Sequence, residues 1–332
     1  MRYAKFIALM LALLLLTGCS TATSPLRATA TLVPGTSPRL PESAPDETLS
    51  AREDAMLYFR YQSEPYLAPE RREITHSPAE SYELALVTTL LSGPAPQSAE
   101  LGTLFPAGTQ VLSTSRQGRT LFVTLSQEVM NAYPDEPAAW QSDPYWAQEV
   151  PLRRQLCMQS LVATVTENCD VDSVQVLVAH DGGDMSSLRL KQKYFLSTHD
   201  DTLLVAPMTR DESLLLTPGN TLSVILHLWQ QQDWQRLYLY IASADPVTGE
   251  DRRSYTDFVT AMENLPRLTA ASFSGGSVSM DGRWAAYTLD ADLLGADGQP
   301  ERREGKTLRL LRENGLWKIT LSQLTDWLEV GR

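Results

Sequence analysis

Residues Ser20 to Ser50 set the first limit on what this chain can fold into, because they cannot join a core. They hold five prolines (Pro25, Pro34, Pro38, Pro41, Pro45), many Ser, Thr and Ala, and no aromatic residue. Such a stretch buries too little apolar area to offset its ordering entropy. As a flexible coil, its 31 residues would reach roughly 30 Å end to end, and the prolines extend it further. Folding is therefore expected to start near residue 51. The remainder, in a chain of 332 residues with 43% apolar content, is long enough for a substantial core or two.

Ahead of this segment, Arg2 and Lys5 precede Phe6 to Leu16, eleven apolar residues without charge. That run is too short for a membrane span of about 20 residues but suits the apolar region of a secretory signal. It ends in Leu16-Thr17-Gly18-Cys19, which resembles the lipobox of bacterial lipoproteins. The resemblance implies cleavage before Cys19, with Cys19 as the lipid attachment site. The mature chain would then sit on the extracytoplasmic face of the cell membrane, held by its acyl chains. Without Arg2 and Lys5, 26 basic and 40 acidic side chains remain, a formal charge of −14. This balance argues against nucleic acid, whose binding rests on Lys and Arg neutralising phosphates. It also argues against adhesion to anionic headgroups through a basic patch, so the lipid must do the anchoring.

Residues 51–182 read as a first domain. Met56 to Tyr61 (MLYFRY) predicts a strand, and Tyr66-Leu67 with Arg71 to Ile74 a partner completing a hairpin. Ser77-Pro78-Ala79-Glu80 predicts a helix start, with Ser77 as cap and Pro78 at the first helical position. The apolar face continues through Tyr82, Ala85, Leu86 and Leu90 and stops at Gly93-Pro94. Thr109 to Thr114 and Thr120 to Leu125 predict a hairpin around Gln117-Gly118. Pro151 to Asn168 predicts a second helix, and Val174 to Val178 a final strand closed by Asp181-Gly182. The order is βαββαβ, a small α+β sandwich with both helices on one face of a sheet. The segment from Pro134 to Val150, with Trp140, Tyr145 and Trp146, is left to cover a surface or present one.

This first domain resembles the GerM domain of bacterial sporulation and germination proteins. The features are Tyr58-Phe59, Leu91-Ser92-Gly93-Pro94, Phe105-Pro106-Ala107-Gly108-Thr109, Leu121 to Ser126, Thr164-Val165-Thr166 and Val174 to Gly182, in that order. The resemblance implies a non-enzymatic envelope module that acts through contacts with other envelope proteins.

Residues 183–218 read as a β-hairpin connector to a second domain at 219–332. There, Asn220 or Thr221 is expected to cap a helix from Leu222 to Ala242, divided near Gln232-Asp233. Tyr255 to Asn264 predicts another helix. Strands follow at Leu268 to Ser274, Arg283 to Asp290, Lys306 to Arg312 and Leu316 to Leu321, with turns at Gly275-Gly276, Asp281-Gly282, Asp297-Gly298 and Asn314-Gly315. Helices followed by a curved antiparallel sheet ending in Gly315-Leu316-Trp317-Lys318-Ile319 resemble the nuclear transport factor 2-like cone. In such a cone, Trp229, Trp234, Tyr238, Tyr240 and Phe258 are expected to fill the interior. An open cone with convergent polar groups would instead favour a ligand-binding or enzymatic protein.

Little in the sequence points to catalysis. His76, His180, His199 and His227 are isolated; His227 reads as a packing residue on a helix, and His180-Asp181 as a turn. No nucleophile elbow, paired-cysteine metal spacing or phosphate-cradling loop is present. Asp290-Ala291-Asp292 opens like a calcium loop, but Leu294 stands at the third ligand place, so 290–299 reads as a hairpin. Asp170, Asp172, Asp181 and Asp184 could at most gather near one end of the sheet and bind a cation weakly. No catalytic residue, cofactor or metal ligand is expected. Cys157 and Cys169 lie up to about 18 Å apart if one helix joins them, too far for a disulfide, and read as thiols.

Overall fold

The computed structural model describes residues 50–180, 187–195, 202–295 and 297–329. Cys19, the residues read as a signal and nearly all of those read as a tether lie outside them, as do Asp181, Gly182, Asp184 and His199. Residues 48–332 form one compact unit, with α+β architecture in two parts.

In the first part, β1 (Ala51–Tyr61) pairs antiparallel with β2 (Leu67–His76) along its length, from Ala51 opposite His76 to Arg60 opposite Leu67. The short β3 (Leu101–Gly102) adds to the other edge at Arg60 and Tyr61. The expected helix is α1 (Tyr82–Leu91), but its cap is Ser81, whose Oγ accepts from the Leu84 N–H at 3.2 Å. Ser77 to Glu80 instead forms a turn closed by Glu80 N–H on the Ser77 carbonyl. Both serines suit a cap; the apolar face begins at Tyr82, so the nearer one serves.

A second sheet runs β4 (Val111–Gln117), β5 (Thr120–Leu125), β6 (Ser173–Ala179) and β7 (Ser187–Arg189). β4 and β5 form the expected hairpin, with Gly118 at φ +61° in the turn. β5 and β6 are parallel. The required crossover is α2 (Trp146–Asn168), which starts before Pro151 and takes the end of the aromatic segment into its first turn. The strands of this half thus divide between two sheets. β7 and β8 (Met208–Thr209), from the stretch read as a bridging hairpin, both pair antiparallel with β6.

In the second part, α3 (Pro218–Gln231) is capped by Thr217, with Pro218 at its first position, rather than by Asn220 or Thr221. It ends where expected: Gln232 adopts φ 56°, and Asp233 caps the short α4 (Trp234–Tyr238). α5 (Tyr255–Glu263) follows, capped by Ser254. The sheet β9 (Arg267–Val278), β10 (Trp284–Leu294), β11 (Pro300–Glu313) and β12 (Leu316–Lys318) is antiparallel throughout. The described residues of 290–299 lie in its β10–β11 hairpin, as expected, where Gly295 N–H donates to the Gln299 carbonyl at 2.9 Å. The last strand stops at Lys318, and α6 (Leu321–Glu329) replaces the expected strand end. Its signal was present: Thr320 caps through Gln323 N–H, and Leu321, Leu324 and Trp327 fall at helical spacing.

Gly275-Gly276 is not a turn but lies inside β9, where the register with β10 slips between Ala286 and Thr288. An extra residue of this kind bends a sheet, and it sits where the cone needs curvature. Gly276 holds φ +116°, and a Cβ there would meet the Tyr287 ring at 2.8 Å. Gly276→Ala should therefore lower stability by about 1–3 kcal/mol, read as a lower urea midpoint; an unchanged midpoint would show that the bend tolerates a side chain.

Within the cone, Trp229, Tyr240 and Phe258 are each 1% exposed, and Trp229 meets Trp327 edge-on at 6.0 Å between centroids. Trp234 and Tyr238 are only half-buried, at the margin. Buried apolar residues form one continuous cluster running from Ala55 to Trp327, through both parts.

Candidate functional site

The two parts meet at a junction built on the end of β1. Arg60 is the one charged residue in Met56 to Tyr61, and it is buried. Its guanidinium binds both oxygens of the buried Glu149 on α2, one at 3.1 Å, and donates to the carbonyls of Ser63 and Glu64 at 2.9 Å. Glu149 also accepts from Arg153 Nε at 2.6 Å, and Arg153 grips Asp135 with both Nη atoms at 2.7 and 2.8 Å. On the far side, the buried Glu64 carboxylate takes Arg236 of α4, which also faces Asp233 at 3.6 Å. Charges thus alternate from Asp135 through the core to Asp233. Burial pushes the Glu149 carboxyl up, yet hydrogen bonds from Arg60 and Arg153 outweigh it and hold the group below the usual carboxylate range. Arg153 lowers Asp135 likewise.

Aromatic and backbone contacts close the same junction. The Tyr61 and Tyr240 rings pack at 5.3 Å, and Lys318 places its ammonium near both. That ammonium donates to the Leu239 carbonyl and, at 3.4 Å, to Tyr61. Burial pulls the Lys318 amine down from its ordinary range. Leu216 N–H donates to the Leu67 carbonyl at 2.7 Å. Gly315, φ +87° in the Asn314-Gly315 turn, approaches so closely that a Cβ would lie 3.3 Å from the Pro69 carbonyl oxygen.

Helix α2 has two working faces. Toward β1, Thr164 Oγ1 accepts from Tyr58 N–H at 3.0 Å, and Ser160 donates to the Tyr58 carbonyl at 2.5 Å. Asn168 accepts from Met56 N–H at 2.9 Å and donates to its carbonyl at 2.8 Å. The opposite face lines an open groove of about 740 Å³ against residues 192–195 and 205–208, with Gln148, Leu152, Gln155, Phe195 and Met208 along it. Beside the start of the helix, Tyr145 is 59% exposed, while Trp146 and Tyr133 flank the Arg153 guanidinium at 5.3 and 5.4 Å. The aromatic segment both covers and presents: it shields Arg153 and leaves Tyr145 outward.

Cys19, the lipid attachment site read from the sequence, lies outside the described residues. Cys157 and Cys169 are free thiols on either side of an unbroken helical stretch, each pushed up to about 12 by burial. His227 is exposed on α3 rather than packed, because its position faces away from the cone; His180 is exposed at the end of β6. Asp170 and Asp172 do come together, but around Arg119, which pairs with both, at 2.6 Å to each, and lowers their carboxyls. Asp181 and Asp184, the other two carboxylates of that group, lie outside the described residues. Among the described residues no cluster suited to a metal occurs, and no helix is long and apolar enough to cross a membrane.

A family model, Germane, described as sporulation and spore germination, matches residues 56–181. Among solved structures, the tandem GerMN domains of the sporulation protein GerM from Bacillus subtilis align at 17% identity and TM-score 0.31. That alignment covers 48% of this chain and 45% of the other, so the chain spans under half of the tandem protein. A Clostridium perfringens protein provisionally described as a lipoprotein aligns at 20% identity and TM-score 0.24, covering 40% and 76%. Delta 5-3-ketosteroid isomerase from Mycobacterium sp. aligns at 15% identity and TM-score 0.25, covering 31% and 88%. No curated protein matches the chain. Residues 56–181, the segment organised around α2, are thus similar to the Germane family described as sporulation and spore germination.

Proposed function

We propose that this protein is a lipid-anchored component of the cell envelope that works through protein contacts rather than catalysis, in sporulation or spore germination. The Germane match over residues 56–181 carries the reading. The Leu16-Thr17-Gly18-Cys19 sequence supports anchoring through Cys19, and the acidic surface supports partners other than nucleic acid. The cone, filled by Trp229, Tyr240 and Phe258, supports a framework role for the second domain over an interior ligand or active site. The Gln-lined face of α2 with the exposed Tyr145 is the contact surface we favour, since amphipathic aromatics suit interfaces.

Cys19→Ser should move the protein from the membrane fraction to the soluble extracytoplasmic fraction. A variant that stays with the membrane would overturn the anchor. For the partner, in-cell cross-linking from a photoreactive residue at Gln155 should capture envelope proteins. If it captures none, and a deletion strain sporulates and germinates like its parent, the contact reading fails.

A further inference from the structure

Outside the filled cone, a separate cavity of 380 Å³ opens between the β9–β10 end of the sheet and α6. That volume lies within the roughly 300–1,000 Å³ of small-molecule sites. We propose that it binds a neutral saccharide.

The charge pattern selects the class. Asp245 is the acid nearest the start of α6, but it is already spoken for. Its Oδ2 accepts from Ser322 Oγ, and its Oδ1 accepts from the N–H groups of Val247 and Thr248 at 2.8 and 3.3 Å. Burial pushes its carboxyl up, yet those donors outweigh it and hold the group below the ordinary range. The helix start is thus matched by a resident carboxylate and offers nothing to a phosphate or other anion. Two further charges line the cavity, Arg309 and Asp326. The Arg309 guanidinium has no partner among the described residues, and Asp326 accepts only from its neighbour Thr325 at 3.3 Å. They offset each other, so Asp245, whose oxygens are already occupied, leaves the lining with one net negative charge, which further disfavours an anionic ligand.

What remains is one aromatic side chain and several uncommitted polar groups. Trp284 lines one wall, and its backbone is pinned by hydrogen bonds to Ser279 in both directions, at 2.9 and 3.0 Å. Gln323 accepts from Arg309 N–H at 3.0 Å, which fixes its amide and leaves Nε2 as a donor. An indole face takes the C–H side of a sugar ring, and Arg309, Gln323 and Asp326 supply donors and acceptors for its hydroxyls. Exposed Val247 and Val278 (81% and 54%) stand at the rim and add apolar contact.

The test is titration of the folded extracytoplasmic chain with two neutral trisaccharides, one of β-linked N-acetylglucosamine and one of glucose, followed by saturation-transfer NMR. At least one should saturate in the millimolar range, and Asp326→Asn and Trp284→Phe should each weaken it about tenfold, equal to about 1.4 kcal/mol. Asp326 is exposed, so its variant keeps the fold if Trp284→Phe does not. The proposal is overturned if neither sugar saturates, if binding persists unchanged in Asp326→Asn, or if inorganic phosphate competes for the site.

Discussion

Arg60→Ala should lower the folding stability of this protein by about 3–5 kcal/mol, because it strands the Glu149 carboxylate in the core. Glu149→Ala should cost a similar amount by stranding Arg60, measured as the shift in urea midpoint. The paired replacement Arg60→Met with Glu149→Leu should recover most of the loss, since apolar residues of similar volume often replace a buried ion pair without penalty. If each single variant loses under about 1 kcal/mol, the pair behaves as a surface salt bridge and its burial does not matter. The pH dependence has a defined sign. The folded Glu149 and Asp135 carboxyls sit below their ordinary range. They therefore add stability that is fully present above about pH 4 and lost as pH falls through the depressed folded values. Glu149→Gln should flatten that acid limb while leaving the slope near neutrality unchanged.

Trp229→Ala should have an effect of the same size, about 3–5 kcal/mol, from loss of buried area and from the void left behind. Trp229 is 1% exposed and braces Trp327 of the C-terminal helix. The variant should lower the thermal midpoint and loosen α6, seen as faster amide exchange at Leu324 and Trp327. It also bears on the choice between framework and ligand site. Should Trp229→Ala remain fully stable, the cone interior contributes little to folding, and an interior site regains its claim.

Local signals carried much of the fold into the sequence. The Gln117-Gly118 hairpin, the stop at Gly93-Pro94, the helix break at Gln232-Asp233 and the Asn314-Gly315 turn all depend on backbone preferences of neighbouring residues, and each stands where those preferences put it. Choices between adjacent equivalents were less legible. Ser77 and Ser81, or Thr217 and Asn220, offer similar caps, and the buried face of the helix decides between them. Gly275-Gly276 looked like a turn because a turn and a bulge ask for the same residue; only its register against Tyr287 separates the two. The Arg60–Glu149 pair was not legible, since 89 residues separate the partners. The remaining cue was a lone arginine in an apolar strand, which demands an acid without saying where it lies. The two-sheet division of the first domain depends on the same kind of long-range information.

The Ser160, Thr164 and Asn168 side chains that meet Met56 and Tyr58 bear on how copies of this protein avoid one another. A β-strand with a bare edge is a template for the next chain, and molecules crowded on a surface would find such a template readily. Here that length of β1 is closed by a helix of the same chain, at four hydrogen bonds from residues spaced one helical turn apart. A strand arriving from outside must first displace α2, which also carries Glu149 and the crossover between β5 and β6. Resistance to runaway strand exchange is therefore built into the helix that organises the domain, and sequence drift along that one stripe would expose it.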